Sequence, residues 1–356
     1  MQLTLSDYNI YVSALDEHLS DVVGAHSYSQ VFVLCDTNTR VHCLPILQAT
    51  LPDIALKTID IQAGETYKNI ETCQQIWATL MRGEADRKSL LINLGGGVIG
   101  DMGGFCAATF KRGMDFMQVP TTLLAQVDAS IGGKLGIDFG DIKNSIGVFS
   151  NPKAIFIDTR FLKTLSPREL RSGFAEILKH SLIADKKAWN FLSEHKNLQQ
   201  LDWSSIVPNS LLVKKDIVEK DPFERNVRKA LNFGHTVGHA FESLALHSDE
   251  PLLHGEAVAQ GMVVEAYLSY CLGTLSESEL NHISLVINDI YGPKRIFEPS
   301  DFDALYQLML QDKKNEGQQI LCTTLNGIGD FCINQVCDKA LIMKALAWYF
   351  DVLPKS

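Results

Sequence analysis

Two histidines four residues apart stand in the stretch LNFGHTVGHAFE (231–242), which is otherwise typical of a helix. Side chains at positions i and i+4 share a helix face, so His235 and His239 are predicted to point the same way. An imidazole can bind a metal ion, transfer protons or pack in a core. The spacing alone leaves these three roles open.

A carboxylate and a third histidine would complete a metal centre. Glu176 lies in the helical pattern GFAEILKH (173–180), and His254 stands at a predicted helix start in PLLHGEAVAQG (251–261). One carboxylate with two imidazoles is a normal catalytic zinc shell that leaves positions for substrate oxygen. The alternative is that each is an ordinary structural residue of a helix. Small residues that allow close approach stand beside them, namely Ala175, Gly234, Gly238 and Gly255.

Polar groups before His235 indicate an anionic ligand. Arg228 and Asn232 precede the histidine pair at helical spacing, so a helix that begins early would carry all four side chains on one face. Such a stripe is poor core material, and a solvated surface face is the alternative. The formal net charge is −10, so an anion would need cations gathered locally. The nearby lysines are Lys179, Lys214, Lys313 and Lys314.

A glycine-rich loop follows a predicted strand in LLINLGGGVIGDMGGF (91–106). Its GxGxxG spacing opens a predicted helix, which is the context of a dinucleotide-binding loop. Glycine lets the backbone approach a pyrophosphate, and N–H groups at a helix start favour its charge. The alternative is a tight turn that packs a helix on a sheet. Polar residues at two other predicted strand ends favour a nucleotide. They are Asp36, Asn38, Thr121 and Thr122.

The polar run VDASIGGKLGIDFGDIKNSIG (127–147) is predicted to be a loop. Loops that combine glycine with single charged residues commonly bind anions, and lysine suits phosphate or carboxylate. A solvated loop without a ligand is the alternative. The candidate binding residues are Asp128, Lys134, Lys143 and Asn144.

Strands and helices alternate in the first half of the chain, which implies parallel pairing and an α/β domain with a Rossmann-like sheet. The predicted strands are 31–36, 89–94, 116–120 and 154–158, and a helix is predicted at 65–82. The second half is mostly helical, apart from one hairpin at 319–333. Its predicted helices are 166–183, 205–220, 230–246, 254–272, 277–291 and 337–350. We therefore predict an α/β nucleotide-binding domain at 1–165 and a mostly α-helical metal- and substrate-binding domain at 166–356.

Composition excludes several classes of protein. No Lys/Arg block stands out in this acidic chain, so we expect no nucleic-acid partner. No apolar run approaches the ~18–20 residues of a membrane span, and no basic start precedes an apolar run as in a signal peptide. The eight cysteines form no CxxC pair, which favours reduced thiols and a cytoplasmic location.

Together these segments resemble the 3-dehydroquinate synthase family of sugar-phosphate cyclases. The resemblance runs from about Asp36 to Lys314 in the ordered motifs GGGVIGD, VPTTLLAQVDASIGGK, KN, GFAEILKH, RKALNFGHTVGHA, LLHGEAVA and DKKN. It implies the family's fold, an NAD cofactor, one divalent metal ion (zinc or cobalt), a sugar-phosphate substrate and a homodimer.

Residue by residue, the resemblance implies three groups of site residues. The metal ligands would be Glu176, His235 and His254. The NAD contacts would be Asp36, Asn38, Glu65, Lys68, Gly96, Gly97, Val98, Asp101, Thr121, Thr122, Asp128, Lys134, Lys143, Phe161, Thr164 and Leu165. The catalytic and substrate-binding residues would be Asp128, Lys134, Lys143, Asn144, Lys179, Lys214, Arg228, Asn232, His239 and one lysine of Lys313 and Lys314.

The implied activity is conversion of 3-deoxy-D-arabino-heptulosonate 7-phosphate to 3-dehydroquinate and phosphate, in the shikimate pathway to chorismate and the aromatic amino acids. The implied steps are transient oxidation by NAD, phosphate elimination, re-reduction, ring opening and aldol cyclisation. The enzyme would be a carbon–oxygen lyase with no net redox change. In this interpretation His235 binds the metal, and His239 faces the substrate and handles protons.

Three departures from the family pattern fall in predicted loops, where we expect altered loops with activity kept. They are Gly140-Asp141-Ile142, Asp221-Pro222 and Asn226. The rival hypotheses are a cyclase with a valiolone-type or inosose product, a metal-dependent alcohol or glycerol dehydrogenase, and a non-catalytic relative. Arg228, Asn232 and His239 are retained, which favours dehydroquinate over the other cyclase products.

Overall fold

A computed structural model describes residues 1–5, 7–140, 142–246, 248, 250–292, 297–311 and 319–352. The chain forms two compact units. The first comprises Met1–Ser166 and Trp203–Leu211, and the second comprises Pro167–Asp202 and Leu212–Ser356. No helix of the described residues is long and apolar enough to cross a membrane.

The described residues of the first unit include nine strands. They are β1 (Gln2–Thr4), β2 (Asn9–Val12), β3 (Val31–Asp36), β4 (Leu56–Ile61), β5 (Leu90–Gly95), β6 (Asp115–Pro120), β7 (Lys134–Phe139), β8 (Ile142–Phe149) and β9 (Ala154–Ile157). Seven of them form one sheet in the order β1-β2-β9-β6-β5-β3-β4, in which only β1 is antiparallel to its neighbour. Strands β7 and β8 form a separate antiparallel hairpin.

The helices of the first unit cover both faces of this sheet. They are α1 (Leu19–Gly24), α2 (Thr37–His42), α3 (Leu44–Thr50), α4 (Ile70–Arg82) and α5 (Gly97–Thr109). Side chains alternate across β3, so Phe32 and Leu34 join the apolar cluster that includes α4 and α5. Val31 and Val33 join a cluster on the opposite face, which includes α1 and α3. A strand that is buried on both faces reads as the unbroken apolar run seen in the sequence.

The second unit is mostly helical. Its helices are α6 (Pro167–Ala184), α7 (Lys186–Glu194), α8 (Trp203–Lys220, which begins within the first unit), α9 (His235–Ala245), α10 (His254–Cys271), α11 (Glu277–Tyr291), α12 (Phe302–Leu310) and α13 (Lys339–Val352). Within the part of this unit that the structure describes, one hairpin interrupts the helices, formed by β10 (Ile320–Leu325) and β11 (Phe331–Cys337). Helix α10 is buried almost all round, so it forms the centre of this unit.

The predicted fold class is confirmed, with three local corrections. The predicted loop at 127–147 contains the β7–β8 hairpin. Helix α4 begins at Ile70, because the Asn69 side chain accepts the Thr72 N–H at 3.0 Å and caps the first turn. Helix α9 begins only at His235, because Gly234 has a left-handed backbone with φ of 81°.

Candidate active site

The metal ligands predicted from the sequence come together in the second unit. Nε2 of His235 lies 3.6 Å from Oε1 of Glu176, and Nε2 of His254 lies 3.9 Å from the same oxygen. Glu176 is fully buried, and its Oε1 accepts no hydrogen bond within the described part of the chain. A buried carboxylate oxygen normally has a partner. An oxygen and two nitrogens that converge in this way suit a divalent metal ion such as zinc or cobalt.

Each of the two histidines uses its other ring nitrogen to fix its orientation. Nδ1 of His235 lies 3.3 Å from the Phe233 carbonyl oxygen. Nδ1 of His254 lies 3.3 Å from Oε2 of Glu242, a buried carboxylate on α9. Burial lowers the pKa of His254, but the hydrogen bond and charge of Glu242 raise it above its ordinary value. Partners of this kind commonly orient metal-binding histidines.

His239 lies in the same cluster. Its ring centroid is 5.3 Å from that of His235 and 5.8 Å from that of His254, and one ligand atom of each histidine lies within 4.8 Å of the others. The geometry therefore supports two ligand sets, one with Glu176 and one with His239 as the third member.

Three helices can bring these groups together because small residues stand where the helices cross. Gly255 donates its N–H to the Ser172 hydroxyl at 3.1 Å, and a Cβ on Gly255 would lie only 1.8 Å from the Ser172 carbonyl oxygen. A Cβ on Gly261 of α10 would lie 2.0 Å from the Gly234 carbonyl oxygen. Gly255, one of the small residues noted in the sequence, thus allows close approach of α6 and α10, and Gly261, which was not noted, allows close approach of α10 to the start of α9.

A second buried carboxylate ties the start of α9 to α10. Glu265 accepts the N–H of Gly234 at 2.7 Å and the N–H of Val237 at 3.1 Å. These N–H groups belong to the turn that begins the helix and have no partner inside it. A negative charge is also favourable at a helix N-terminus. Sequence reasoning did not identify Glu242 or Glu265, although Glu242 follows His239 at the next position of the same helix face.

The predicted polar stripe of Arg228, Asn232, His235 and His239 does not form on one helix face. Residues Val227–Asn232 form a 3-10 helix, and the left-handed Gly234 separates it from α9. Arg228 is buried, and its Nη1 donates to the Pro222 carbonyl at 2.6 Å. Asn232 donates to Oε1 of Glu224 at 2.8 Å. The two side chains are therefore held by the loop that precedes them.

Asp221 shapes that loop. Its carboxylate accepts the backbone N–H groups of Arg225 at 3.0 Å, Asn226 at 2.6 Å and Arg228 at 3.1 Å. Burial raises the pKa of Asp221, but the three N–H groups stabilise the ionised form and bring it below the ordinary value. The departure at Asp221-Pro222 thus falls in an ordered turn.

The predicted lysines of the second unit differ in their surroundings. Lys179 is buried and forms an ion pair with Oε2 of Glu176, one turn away on α6. Lys214 is buried on α8. Lys313, Lys314 and Asp141 lie outside the described residues.

In the first unit, the glycine loop forms the start of α5. Strand β5 ends at Gly95, and Gly96 is the N-cap of α5. A Cβ on Gly96 would lie 3.0 Å from Cγ2 of Thr122, so a side chain at this turn would have to displace Thr122. Val98 lies in the first turn of α5, whose N–H groups have no partner inside the helix and can receive a pyrophosphate.

Other predicted NAD contacts follow neighbouring strands of the parallel sheet. Strand β3 ends at Asp36, which accepts the N–H of Asn38 at 2.9 Å as it caps α2. Strand β6 ends just before Thr121 and Thr122. Phe161 and Thr164 lie in the 3-10 helix after β9, and Leu165 follows it. Ligands of such sheets bind outside the carboxyl ends of the strands.

Hydrogen bonds between polar side chains link helix α5 to the β7–β8 hairpin. Nζ of the buried Lys68 donates to Oδ2 of Asp101 at 2.7 Å and to Oδ1 of Asn144 at 2.6 Å. Burial lowers the pKa of Lys68, but the charges of Asp101 and Glu65 and the hydrogen bond to Asp101 together outweigh it and leave the pKa above the ordinary value. Asn144 has φ of 50°, a left-handed conformation that the Asp138 carboxylate holds by accepting its N–H at 2.7 Å.

The remaining candidates of the first unit lie on nearby elements of the chain. Nζ of Lys143 lies 4.0 Å from Oε1 of Glu65. Lys134 is the exposed first residue of β7, and Asp128 lies in a π-helical turn, Ala125–Ala129. The structure therefore places Lys143 and Asn144 on strand β8, although a loop was predicted there.

Comparison with known proteins decides the family. The model of the 3-dehydroquinate synthase N-terminal domain matches residues 58–172, and the model of the C-terminal domain matches residues 173–315. The chain belongs to the 3-dehydroquinate synthase family. It is 43% identical to the 3-dehydroquinate synthase of Parabacteroides distasonis, over 94% of this chain and 95% of that protein. It is 40% identical to that of Acetivibrio thermocellus, over 96% of each chain. The predicted family and enzyme class are confirmed.

A solved structure of the same fold contains both expected cofactors. The 2-epi-5-epi-valiolone synthase of Streptomyces hygroscopicus, solved with NAD+ and Zn2+ bound, is 26% identical to this chain. Its TM-score is 0.86, and 98% of each chain is covered. The 3-dehydroquinate synthase fold of this chain is thus shared with a protein that binds a nicotinamide cofactor and a zinc ion.

Proposed function

We propose that the chain converts 3-deoxy-D-arabino-heptulosonate 7-phosphate to 3-dehydroquinate and phosphate, as a phosphate-eliminating lyase. The observation that carries the proposal is the convergence of His235 and His254 on the buried Oε1 of Glu176, in a chain of this family. The paired Lys179 on the same carboxylate favours an acidic, oxygen-rich ligand beside this centre. Neither arrangement is typical of a structural helix crossing.

Glu176, His235 and His254 would hold one divalent metal ion, zinc or cobalt. Their donor atoms fit because both Nε2 atoms face the carboxylate oxygen, while both Nδ1 atoms have other partners. A bound ion of this kind supplies Lewis acidity, which makes a neighbouring alcohol easier to deprotonate. In this assignment His239 is not a ligand, and it holds or moves a proton of the substrate.

The glycine turn at Gly96 and Gly97 would bind the pyrophosphate of NAD. The side-chain-free turn and the helix start of α5 support this assignment. Bound NAD would supply reversible hydride transfer. The roles implied for the other predicted contacts, from Asp36 to Leu165, are proposed with it.

Cationic and amide side chains would bind the phosphate and carboxylate of the sugar. In the second unit these are Lys179, Lys214, Arg228 and Asn232, and in the first unit Lys134, Lys143 and Asn144, whereas the Asp128 carboxylate would accept hydrogen bonds from sugar hydroxyls. Buried guanidinium and ammonium groups bind such anions strongly, because little water competes with them. We also propose that residues 1–165 form the cofactor domain, that residues 166–356 form the metal and substrate domain, and that the enzyme is a homodimer.

Substrate choice tests the proposal. Phosphate release would be compared between the heptulosonate 7-phosphate and a heptulose 7-phosphate that lacks the carboxylate. We expect kcat/KM for the first sugar to be about 100-fold higher, because the second leaves a buried cation without its anion. Equal or better use of the carboxylate-free sugar would instead favour a cyclase with another product.

A further inference from the structure

Glu242 lies beside the metal centre and belongs to neither ligand set. It follows His235 and His239 at positions i+7 and i+3 on α9, so the three side chains share one helix face. The residue is 6% exposed, and its Oε2 lies 3.3 Å from Nδ1 of His254. Burying a carboxylate costs free energy unless a hydrogen bond or an opposite charge compensates for the lost water. The contact with His254 supplies such a compensation for Glu242.

We propose that Glu242 is a positioning residue that sets the tautomer and orientation of His254, and thereby sets how tightly the chain holds a divalent ion. This inference rests on the proposed metal centre. An ionised Glu242 carboxylate would only accept hydrogen bonds, which places the proton of a neutral His254 ring on Nδ1. The lone pair then lies on Nε2, the nitrogen that faces Oε1 of Glu176 at 3.9 Å.

The position of His254 explains why it needs this partner. His254 is the first residue of α10, and its side chain is 31% exposed, so packing on its own leaves the ring free to turn. Helix α9 therefore contributes one metal ligand, His235, and fixes the ring of another through Glu242. Loss of such a partner typically weakens metal binding by ~10–100-fold.

Cobalt titration of the metal-free full-length protein tests the proposal. Binding would be followed by the visible absorption of Co2+, with Glu242→Gln, Glu242→Ala and Glu279→Gln as variants. Glu279 is the matched control, because it is a partly buried carboxylate that caps α11 in the same unit. We expect the Co2+ dissociation constant to rise by about 10-fold for Glu242→Gln and about 100-fold for Glu242→Ala, with no change for the control.

Stability of the metal-free protein separates positioning from packing. Glu242→Gln should unfold at the wild-type denaturant midpoint, because the amide has the size of the carboxylate, and its Co2+ spectrum should differ from that of the wild type. Wild-type Co2+ affinity in both Glu242 variants would overturn the inference and leave the metal centre intact. If Glu242→Gln lowered the denaturant midpoint of the metal-free protein as well as the Co2+ affinity, the inference would also be overturned, and Glu242 would have a packing role. A wild-type protein that takes up no Co2+ would refute the metal centre itself.

Discussion

The crossing of α6 and α10 makes Gly255→Ala an informative substitution. An added Cβ would lie 1.8 Å from the Ser172 carbonyl oxygen and 2.5 Å from its carbonyl carbon. Both atoms belong to backbone, so a side-chain rotation cannot relieve the overlap. The gap must open from 1.8 Å to at least 3.0 Å, and α10 must therefore move by at least 1.2 Å relative to α6.

The displacement is large for a metal site. His254 directly precedes Gly255, and metal–ligand distances tolerate changes of only about 0.2 Å. A misplacement of ~1 Å costs about 100-fold in rate, so kcat/KM should fall by about that factor. Overpacking costs about 1–3 kcal/mol of unfolding free energy, and alanine's better helix propensity returns at most about 1 kcal/mol. We expect a net loss of about 1–2 kcal/mol.

Denaturant unfolding of the purified variant measures the loss of stability, while phosphate-release kinetics and Co2+ titration measure the damage to the metal site. Gly24→Ala is the matched control, because Gly24 also lies in a helix and a Cβ there would meet nothing within 4 Å. The control should keep wild-type stability and metal affinity. A Gly255→Ala protein with unchanged stability and unchanged Co2+ affinity would refute the view that this crossing positions His254.

Three further substitutions test the supports of the site. Asp221→Asn should lower the unfolding free energy by about 2–4 kcal/mol at neutral pH, because the amide cannot serve all three N–H donors. Since the folded pKa of Asp221 is below the ordinary 3.8, this difference should persist down to about that pH and shrink as the pH falls further, as urea unfolding at several pH values would show. Glu265→Gln should lower the unfolding free energy by about 1–3 kcal/mol in the same assay. The backbone amides at the start of α9 should also exchange their hydrogens faster than in the wild type. Arg228→Ala should lower kcat/KM by an amount equivalent to about 2–5 kcal/mol, and near wild-type kinetics would show that Arg228 does not meet the substrate.

Elements that carry strong local signals were predictable from the sequence. The apolar run of β3 was predicted with its observed bounds, because a strand buried on both faces has an unbroken apolar sequence. The glycine turn before α5 was placed correctly, since a strand, a glycine cluster and a helix follow one another in the chain. Residue types in the sequence indicated a metal centre from Glu176, His254 and the histidine pair, but the choice of His235 over His239 needed the family resemblance, because ligand residues from three helices have no common sequence spacing.

Other features depend on backbone conformation or on long-range contacts. Gly234 could equally continue a helix or break it, and only the left-handed backbone in the structure separates Arg228 from α9. The β7–β8 hairpin was predicted as a loop because glycines and charges interrupt its apolar pattern. Its turn lies at Gly140, whose φ is 60°. Glu265 is the single charged residue in the apolar stretch GMVVEAYLSY. Charged side chains are rarely buried without a partner, so this pattern indicates a buried hydrogen-bond donor near Glu265.

The central claim is a phosphate-eliminating cycle without net redox change. It is tested most directly by incubating the purified protein with NAD+, Co2+ and the heptulosonate 7-phosphate, while phosphate and NADH absorbance are followed together. We predict phosphate release with no accumulation of NADH, lost with a chelator and restored by added Co2+. Steady growth of NADH without phosphate release would contradict the account and indicate a dehydrogenase.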